Sequence, residues 1–151
     1  MTHARQQIRD AVVEAVTYLD TTKRNVFRTR VYPIDRQSLP GICVYTSSES
    51  IEPNTIGGLK SVSAYLRTLS VSIEAYAKAS TNLDNTLDGI AVEIETAMAQ
   101  DSTLNGLVED VVLTSTEIDI MGGDSEQPVG VLRLSYDIIY RTTLADPSAA
   151  L

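Results

Sequence analysis

The chain has 151 residues, of which 43% are hydrophobic and 21% are charged, and its formal net charge is −8. This composition predicts one globular domain, and the single cysteine excludes an intramolecular disulfide framework. The sequence has no apolar run long enough for a membrane helix, its N-terminus is too polar for a secretory signal, and its acidity disfavours general nucleic-acid binding. We therefore expect a protein that is made and kept in a reducing cytoplasm.

Charge is unevenly distributed along the chain. Residues 1–78 contain ten Lys and Arg against seven Asp and Glu, a net charge of +3, whereas residues 79–151 contain two against thirteen, a net charge of −11. Opposite charges on two parts of one subunit favour head-to-tail contacts, which close into a ring when the rotation between neighbours allows it. The pattern is compatible with a ring, but strands of both halves that interleave in one sheet would mix the charges.

The first predicted elements are an amphipathic helix over residues 2–19 and a strand over residues 25–32, which Pro33 ends. The helix carries an apolar stripe at helical spacing, made of Ile8, Ala11, Val12, Ala15, Val16 and Leu19. We expect this stripe to pack on an apolar surface.

Two more strands are predicted, separated by a loop. Residues 42–46 are nearly all apolar, which indicates a short central strand covered on both faces. Residues 47–60 are polar and rich in turn-forming residues, so they predict a mobile surface loop. Residues 61–77 predict a long strand, because apolar residues at 69, 71, 73 and 75 alternate with their neighbours.

A second helix is predicted over residues 81–100. Thr81 and Asp84 have the spacing of a capping box, with Asp in place of the preferred Glu. The buried stripe comprises Leu83, Leu87, Ile90, Ala91, Ile94, Ala97 and Met98. Gly89 lies within this stripe, where it is expected to permit close approach to the sheet.

A long hairpin over residues 111–142 has the most regular pattern in the chain. In its second arm, one face carries Leu132, Leu134, Tyr136, Ile138 and Tyr140. Residues 121–124, MGGD, and Pro128 supply the turn. The chain therefore predicts an α+β domain over residues 1–143, with two amphipathic helices packed on a mixed, mainly antiparallel sheet that has a long hairpin arm. Residues 144–151 lack periodicity and are expected to form a flexible tail.

No motif indicates catalysis, a metal or a cofactor. His3 is the only histidine and lies at the N-terminus, so the usual proton shuttle is missing elsewhere. Cys43 has no CxxC partner and lies in an apolar run, which indicates a buried thiol. Residues 57–61, GGLKS, lack the spacing of a phosphate loop. The acids Asp84 and Asp88, like those around the hairpin turn, do not match a calcium loop. We expect no enzyme and no cofactor.

Several segments resemble the tail terminator proteins of long-tailed bacteriophages, the family that includes the lambda minor tail protein U. VFRTRVYP at 26–33 and LPGICVYT at 39–46 resemble the first strand pair of the family. TLDGIAVEIE at 86–95 resembles its second helix. LTSTEI at 113–118 and PVGVLRLSYDIIYRT at 128–142 resemble its closing hairpin. The resemblance spans most of residues 4–142.

This resemblance implies a hexameric ring that caps the tail tube, stops its polymerisation and presents the surface that joins the filled head. The implied partners are further copies of the chain, the major tail protein of the tube and a head-tail connector or neck protein. The implied place is the head-proximal end of the virion tail, after assembly in the host cytoplasm. No nucleic-acid binding is expected beyond lining the DNA passage, and no membrane contact.

Candidate interface residues lie in the predicted strands and turns. Residues 47–60 and 119–127 are expected to face partners and to become ordered on assembly. The candidates for the partner and ring interface are Arg28, Arg30, Glu52, Asn54, Asp119, Asp124, Glu126, Arg133 and Arg141. Three alternatives stay open: a neck or head-tail completion protein of the same virion, an enzyme that uses carboxylates alone, and a monomeric host protein with a similar fold.

Overall fold

The computed structural model describes residues 2–28, 39–54, 64–79, 81–121 and 128–151. Within these ranges the chain forms α1 (Ala4–Ala15), β1 (Val26–Phe27), β2 (Gly41–Asn54), β3 (Ala64–Lys78), α2 (Leu83–Gln100), β4 (Asp110–Met121) and β5 (Val129–Thr143). The strands form one sheet in the order β1-β2-β3-β5-β4, in which β1 and β2 are parallel and the other described pairs are antiparallel. The predicted α+β class is confirmed.

α1 carries the predicted apolar stripe but is shorter than predicted. Ile8, Val12 and Val16 are fully buried. The His3 side chain accepts a hydrogen bond from the backbone N–H of Arg5 at 3.0 Å and so caps the start of the helix. The helix ends at Ala15 rather than at residue 19, because the chain turns at Tyr18, whose φ is 64°.

α2 begins at Leu83, and its first turn differs from the prediction. The N-cap is Asn82, which has a left-handed φ of 57° and makes no side-chain capping hydrogen bond. The predicted capping box of Thr81 and Asp84 is therefore wrong, because Thr81 precedes the cap. The buried stripe is confirmed at Leu83, Leu87, Ile90, Ala91, Ile94 and Met98.

Close approach between α2 and the sheet occurs at Gly130 of β5 and not at Gly89. A Cβ built at Gly89 would have no atom within 4 Å, and this residue lies on the exposed side of the helix. A Cβ at Gly130 would lie only 2.7 Å from Cδ1 of Leu87. The absence of a side chain at Gly130 thus sets how closely α2 packs on β5.

β2 extends beyond its predicted end, so residues 47–54 belong to a strand and not to the expected loop. A bulge between Thr46 and Ser48 interrupts the alternation of inward-facing and outward-facing residues by which a strand is recognised in a sequence. This interruption explains why a loop was predicted for these residues. Pro53 is tolerated because, within the described residues, β1 pairs only with the start of β2, so this end of β2 is an edge of the described sheet. Residues 55–60 of the predicted loop lie outside the described residues, as do 29–32 of the predicted first strand.

β3 and β5 form the centre of the sheet and pair over fifteen residues without a register shift. Buried and half-buried positions alternate along the whole of β5, as its sequence predicts. Residues 71–77 of β3 are buried on both faces. β4 pairs with the other edge of β5, which confirms the predicted hairpin.

Both helices pack on one face of the sheet, α1 against β2 and α2 against β3 and β5. The core between the two layers contains the helix stripes and the apolar residues of the facing strands, including Ile42, Val44, Leu69, Val71, Ile73, Leu132, Leu134, Ile138 and Tyr140. The opposite face of the sheet carries Cys43, Glu74 and Arg133, as the strand registers require.

Residues 144–151, which were expected to form a flexible tail, lie against β5 and α1. Ala150 forms an isolated antiparallel bridge with Thr142, on the edge of β5 beyond the start of β4. The backbone N–H of Ala4 donates a hydrogen bond to the carbonyl oxygen of Pro147 at 2.9 Å. The two ends of the described chain therefore meet at the same end of the sheet.

Candidate interaction surface

The two antiparallel hairpin connections leave the sheet at opposite ends. Asn54 of β2 pairs with Ala64 of β3, which pairs with Thr143 at the end of β5. Met121 pairs with Val129 at the start of β5. Because strands rise about 3.3 Å per residue, a fifteen-residue strand separates these two ends by about 45 Å. The β2–β3 end and the β4–β5 end are thus distinct surfaces of one rigid sheet.

A buried charged network, here called the Glu49 network, ties α1 to the sheet near the β2–β3 end. The bulge in β2 shifts its alternation by one residue and turns Glu49 onto the helix-facing side, opposite Leu69. The Glu49 carboxylate lies 3.0 Å from the guanidinium of Arg5 on α1 and 2.8 Å from that of Arg67 on β3. The hydroxyl of Tyr140 also donates to it. The network joins four elements through one carboxylate.

The Glu49 network is largely desolvated, which shifts the pKa of its neighbours. The Glu49 side chain is 5% exposed and that of Arg67 is 8% exposed. Burial, followed by the hydrogen bond to Glu49, raises the pKa of the Tyr140 hydroxyl far above its ordinary value. Burial, followed by the positive charges of Arg5 and Arg67, lowers the pKa of His3. Both Tyr140 and His3 are therefore held neutral at physiological pH.

A second network, here called the Glu74 network, lies on the sheet face away from the helices. Glu74 is 1% exposed and accepts hydrogen bonds from the hydroxyls of Tyr45 and Tyr76. The guanidinium of Arg133 lies 3.0 Å from Glu74 and 3.1 Å from Glu117 on β4. The network links the four longest strands across the sheet.

Burial alone would raise the pKa of Glu74, but the hydrogen bonds from Tyr45, Tyr76 and Arg133 outweigh it and the pKa is lowered. Burial and the bond to Glu74 raise the pKa of Tyr45 and Tyr76. Glu74 therefore stays ionised while both tyrosines stay neutral. This arrangement satisfies the buried carboxylate and leaves no acid or base poised for proton transfer near neutral pH.

β4 forms one outer edge of the sheet, and this edge is acidic. Among the described strands it pairs with β5 alone. Residues 114–120 are all exposed. The ionisable side chains along this edge are acids without exception, namely Glu109, Asp110, Glu117 and Asp119. Ile118 and Ile120 are 52% and 49% exposed, so the edge also presents apolar surface.

The opposite edge of the sheet as formed by the described strands, at β1, is basic. The exposed charged residues next to β1 are Lys23, Arg24 and Arg28, against the single acid Asp20. Arg24 lies over the ring of Tyr18 at 5.6 Å from its centroid, and Arg28 lies 3.2 Å from Asp10 on α1. Because Asp10 offsets the charge of Arg28, the positive charge that this edge offers to a partner comes mainly from Lys23 and Arg24.

No group of side chains among the described residues has the composition of a metal site. In that same part of the chain, no helix is both long and apolar enough to cross a membrane. An open cleft of about 590 Å³ lies beside α1, lined among others by Asp10, Glu14, Tyr18, Arg28 and Leu107. Of its charged groups, Asp10 and Arg28 are paired with each other. The edges and ends of the sheet remain the most distinctive surfaces.

The sequence profile of a family described as phage minor tail protein U matches residues 3–140. The chain belongs to the phage minor tail protein U family. A search of curated proteins gave no match. Family membership gives the chain a structural role in the phage tail and makes it a component of the virion that contacts other tail proteins.

The candidate interface residues of this minor tail protein are spread over both edges and both ends of the sheet. Arg28 lies beside the β1 edge, and Glu52 and Asn54 lie at the β2–β3 end. Asp119 is exposed on β4 and its carboxylate accepts a hydrogen bond from the N–H of Ile120 at 2.9 Å. These residues do not converge on one site.

Two further candidates, both arginines of β5, are engaged within the subunit. Arg133 belongs to the Glu74 network, and the Nε of Arg141 lies 2.6 Å from Glu109 as an ion pair without hydrogen-bond geometry. The remaining candidates, Arg30, Asp124 and Glu126, lie outside the described residues.

The prediction from sequence missed both charged networks of this minor tail protein. One signal was available in the sequence. Arg67, Leu69 and Val71 occupy alternate positions of β3, so their side chains share one face of the strand, which is otherwise apolar. A charge at such a position indicates a buried partner. The partner, Glu49, could not be identified from the sequence, because the bulge in β2 switches the face of the sheet to which each following side chain points.

Proposed function

We propose that this protein is a tail terminator: a ring of copies that caps the tail tube, stops its polymerisation and provides the surface to which the head is joined. The observation that carries the proposal is the match of residues 3–140 to the phage minor tail protein U family. A ring of six copies, the tail tube protein and a head-tail connector or neck protein are the proposed partners, and the proposed place is the head-proximal end of the tail.

The geometry of the sheet supports this role. A cap must contact the tube on one side and the incoming head on the other, and the β2–β3 and β4–β5 ends are about 45 Å apart on one rigid sheet. The Glu49 network fixes α1 at the first end. The Glu74 network cross-links the strands toward the second end. Both ends are therefore held in a fixed relation, which suits a spacer between two partners.

The proposal is tested by assembling tail tubes with and without the purified protein. With it, tubes should have a uniform length and a density cap at one end in negative stain, and capped tails should join filled heads. Tubes that grow past that length in the presence of the protein would refute the terminator role. Binding to the head connector without binding to tube ends would instead identify a neck protein.

A pair of variants separates surface effects from misfolding. Glu52→Lys reverses a charge at the β2–β3 end, on an exposed side chain. It should weaken one of the two joints, tube or head, and leave the other. Glu95→Lys makes the same change on the exposed face of α2 and should leave both joints intact.

A further inference from the structure

We infer that neighbouring copies in the ring join edge to edge: the acidic β4 edge of one subunit docks against the basic β1 edge of the next. This inference rests on the proposed ring and specifies its interface. The β4 edge consists of Glu109 and the exposed strand that follows, and the β1 edge consists of Lys23, Arg24, Arg28 and the strand Val26–Phe27. The occupant of each edge is thus a second copy of the same chain.

Charge complementarity selects this pairing. The β4 edge carries four acids and no basic residue between residues 109 and 121, whereas residues 20–28 carry three basic residues and one acid. Glu109 and Glu117 form ion pairs with Arg141 and Arg133 of β5, so the contact with a neighbouring copy depends mainly on the other two acids, Asp110 and Asp119. Two copies of the β4 edge would repel each other, as would two copies of the β1 edge. The favourable contact therefore joins unlike edges, which is a heterologous arrangement.

Sheet topology makes this contact propagate. Among the described strands, β1 and β4 are the two outermost of the same sheet, so a subunit bound through one edge still presents the other. Repeated contacts of this kind give a ring when the rotation between subunits closes and a filament when it does not. Strands from residues 1–78 and 79–151 mix within the sheet, so the net charges of these two halves partly cancel. The charges of the two edges lie at opposite sides of the sheet and do not cancel in this way.

The β4 edge also lacks three of the devices by which sheets avoid pairing, namely Lys, Pro and short length. Such edges are usually protected by Lys, Pro, short length or a bulge. β4 has twelve residues with neither Lys nor Pro, and after its bulge between Leu113 and Ser115 it continues regularly to Met121. Ile118 and Ile120 are exposed there. On β1, Val26 and Phe27 are half-buried and offer an apolar counterpart.

A charge swap tests the pairing. The acidic-edge variant is Asp110→Lys with Asp119→Lys, and the basic-edge variant is Lys23→Glu with Arg24→Glu. Each alone should raise the concentration for half-maximal assembly by about tenfold or more, measured by light scattering alone and with tail tubes. All four substitutions in one chain restore unlike edges and should return assembly close to that of the wild type.

The matched control is Asp88→Lys with Glu95→Lys, which changes the net charge as much as the acidic-edge variant does, on exposed positions of α2. This control should assemble like the wild type. The inference is overturned if the control and the acidic-edge variant behave alike, or if the four-fold variant assembles no better than either two-fold variant.

Cross-linking gives a second readout that does not depend on charge effects. The native thiol of Cys43 is fully buried, so engineered thiols are the reactive ones. A chain with Arg24→Cys and Asp119→Cys should form a disulfide-linked ladder of multimers under oxidation, whereas either single substitution should stop at dimers. A double variant that also stops at dimers counts against the edge contact.

The outcomes separate this inference from the proposed function. If the wild type caps tubes but the charge-swapped chains cap them equally well, the edge contact is refuted and the terminator role stands. If the wild type ignores tube ends while its self-association follows the charge-swap pattern, the edge contact stands and the terminator role falls.

Discussion

Gly130 is the position at which the packing of α2 on the sheet is most directly testable. A Cβ at this residue would lie 2.7 Å from Cδ1 of Leu87, and 3.0 and 3.1 Å from Cδ2 and Cγ of Leu83. Optimal carbon–carbon contacts are about 3.5 to 4.0 Å, so the closest pair would be about 1 Å too short. Leu87 is fully buried and Leu83 is 8% exposed, and both side chains belong to the hydrophobic core.

The expected cost of Gly130→Ala follows from these contacts. Overpacking a filled core costs about 1 to 3 kcal/mol, and forcing a leucine off its rotamer costs about 0.5 to 1.5 kcal/mol within that range. Replacing a strand glycine gains back about 0.5 to 1 kcal/mol of conformational entropy. We expect a net destabilisation of about 1 to 2 kcal/mol, which for a chain of this size lowers Tm by about 3 to 6 °C.

The assay is urea unfolding at a protein concentration at which light scattering shows a monomer, since assembly would add to the apparent stability. Gly89→Ala is the control, because its Cβ meets nothing within 4 Å and alanine favours the helix by about 0.5 to 1 kcal/mol. The two alanine variants should shift the unfolding midpoint in opposite directions.

A second substitution identifies the cause. Leu87→Val removes the methyl group closest to the new Cβ, so adding it to Gly130→Ala should cost less than adding it to the wild type, with a favourable coupling of about 1 kcal/mol. If Gly130→Ala unfolds at the wild-type midpoint, or if the effects of the two substitutions are additive, the contact between Leu87 and residue 130 does not limit the packing of α2.

Three other predictions concern buried polar groups. Glu49→Gln leaves the guanidinium of Arg67 buried without its charged partner and should lower the free energy of unfolding by about 3 kcal/mol, whereas Glu52→Gln, exposed on the same strand, should change it by under about 0.5 kcal/mol; equal effects in urea unfolding would contradict this. The pKa of Glu74 is lower in the folded protein than in the unfolded chain, where it is about 4.3. The Glu74 carboxylate therefore contributes its full stabilisation at pH values above about 4.3, and this stabilisation is lost as the pH falls through the pKa of Glu74 in the folded protein. The stability gap between wild type and Glu74→Gln should therefore be constant from about pH 6 to 8 and shrink below about pH 4, and a gap that widens in acid would show the opposite linkage. Cys43 should react with a thiol reagent at least about a thousandfold more slowly in the native protein than in urea, and fast native labelling would show that β2 opens locally.

Local periodicity predicted the parts of the fold that depend on neighbours in sequence. The stripe of α2 and the alternation of β5 are both present as expected, because each repeats within a window of a few residues. The extension of β2 was not predictable in this way, since one extra residue at its bulge reverses the pattern. The cap of α2 at Asn82 likewise depends on a left-handed backbone conformation that the preceding threonine does not reveal.

The interaction surface was predicted only in outline. The uneven charge of the two halves indicated opposite surfaces, but the strand order that places them on opposite edges is a non-local property. Arg133 was expected to face a partner, whereas it is the main cation of the Glu74 network, because Glu74 lies directly opposite it on β3. The pairing of β3 with β5 joins residues that are fifty or more positions apart, and no pattern within one strand specifies it.

The uninterrupted pairing of β3 with β5 has a mechanical consequence. Their fifteen residue pairs contain no bulge, whereas both flanking strands, β2 and β4, contain one. Hydrogen bonds of an antiparallel ladder run perpendicular to the strands, so tension applied between the two ends of the sheet loads this central ladder in shear, with all its bonds resisting together. Peeling β4 from its edge would instead break bonds one after another. A subunit pulled along its strands should therefore withstand far greater force than one pulled across them.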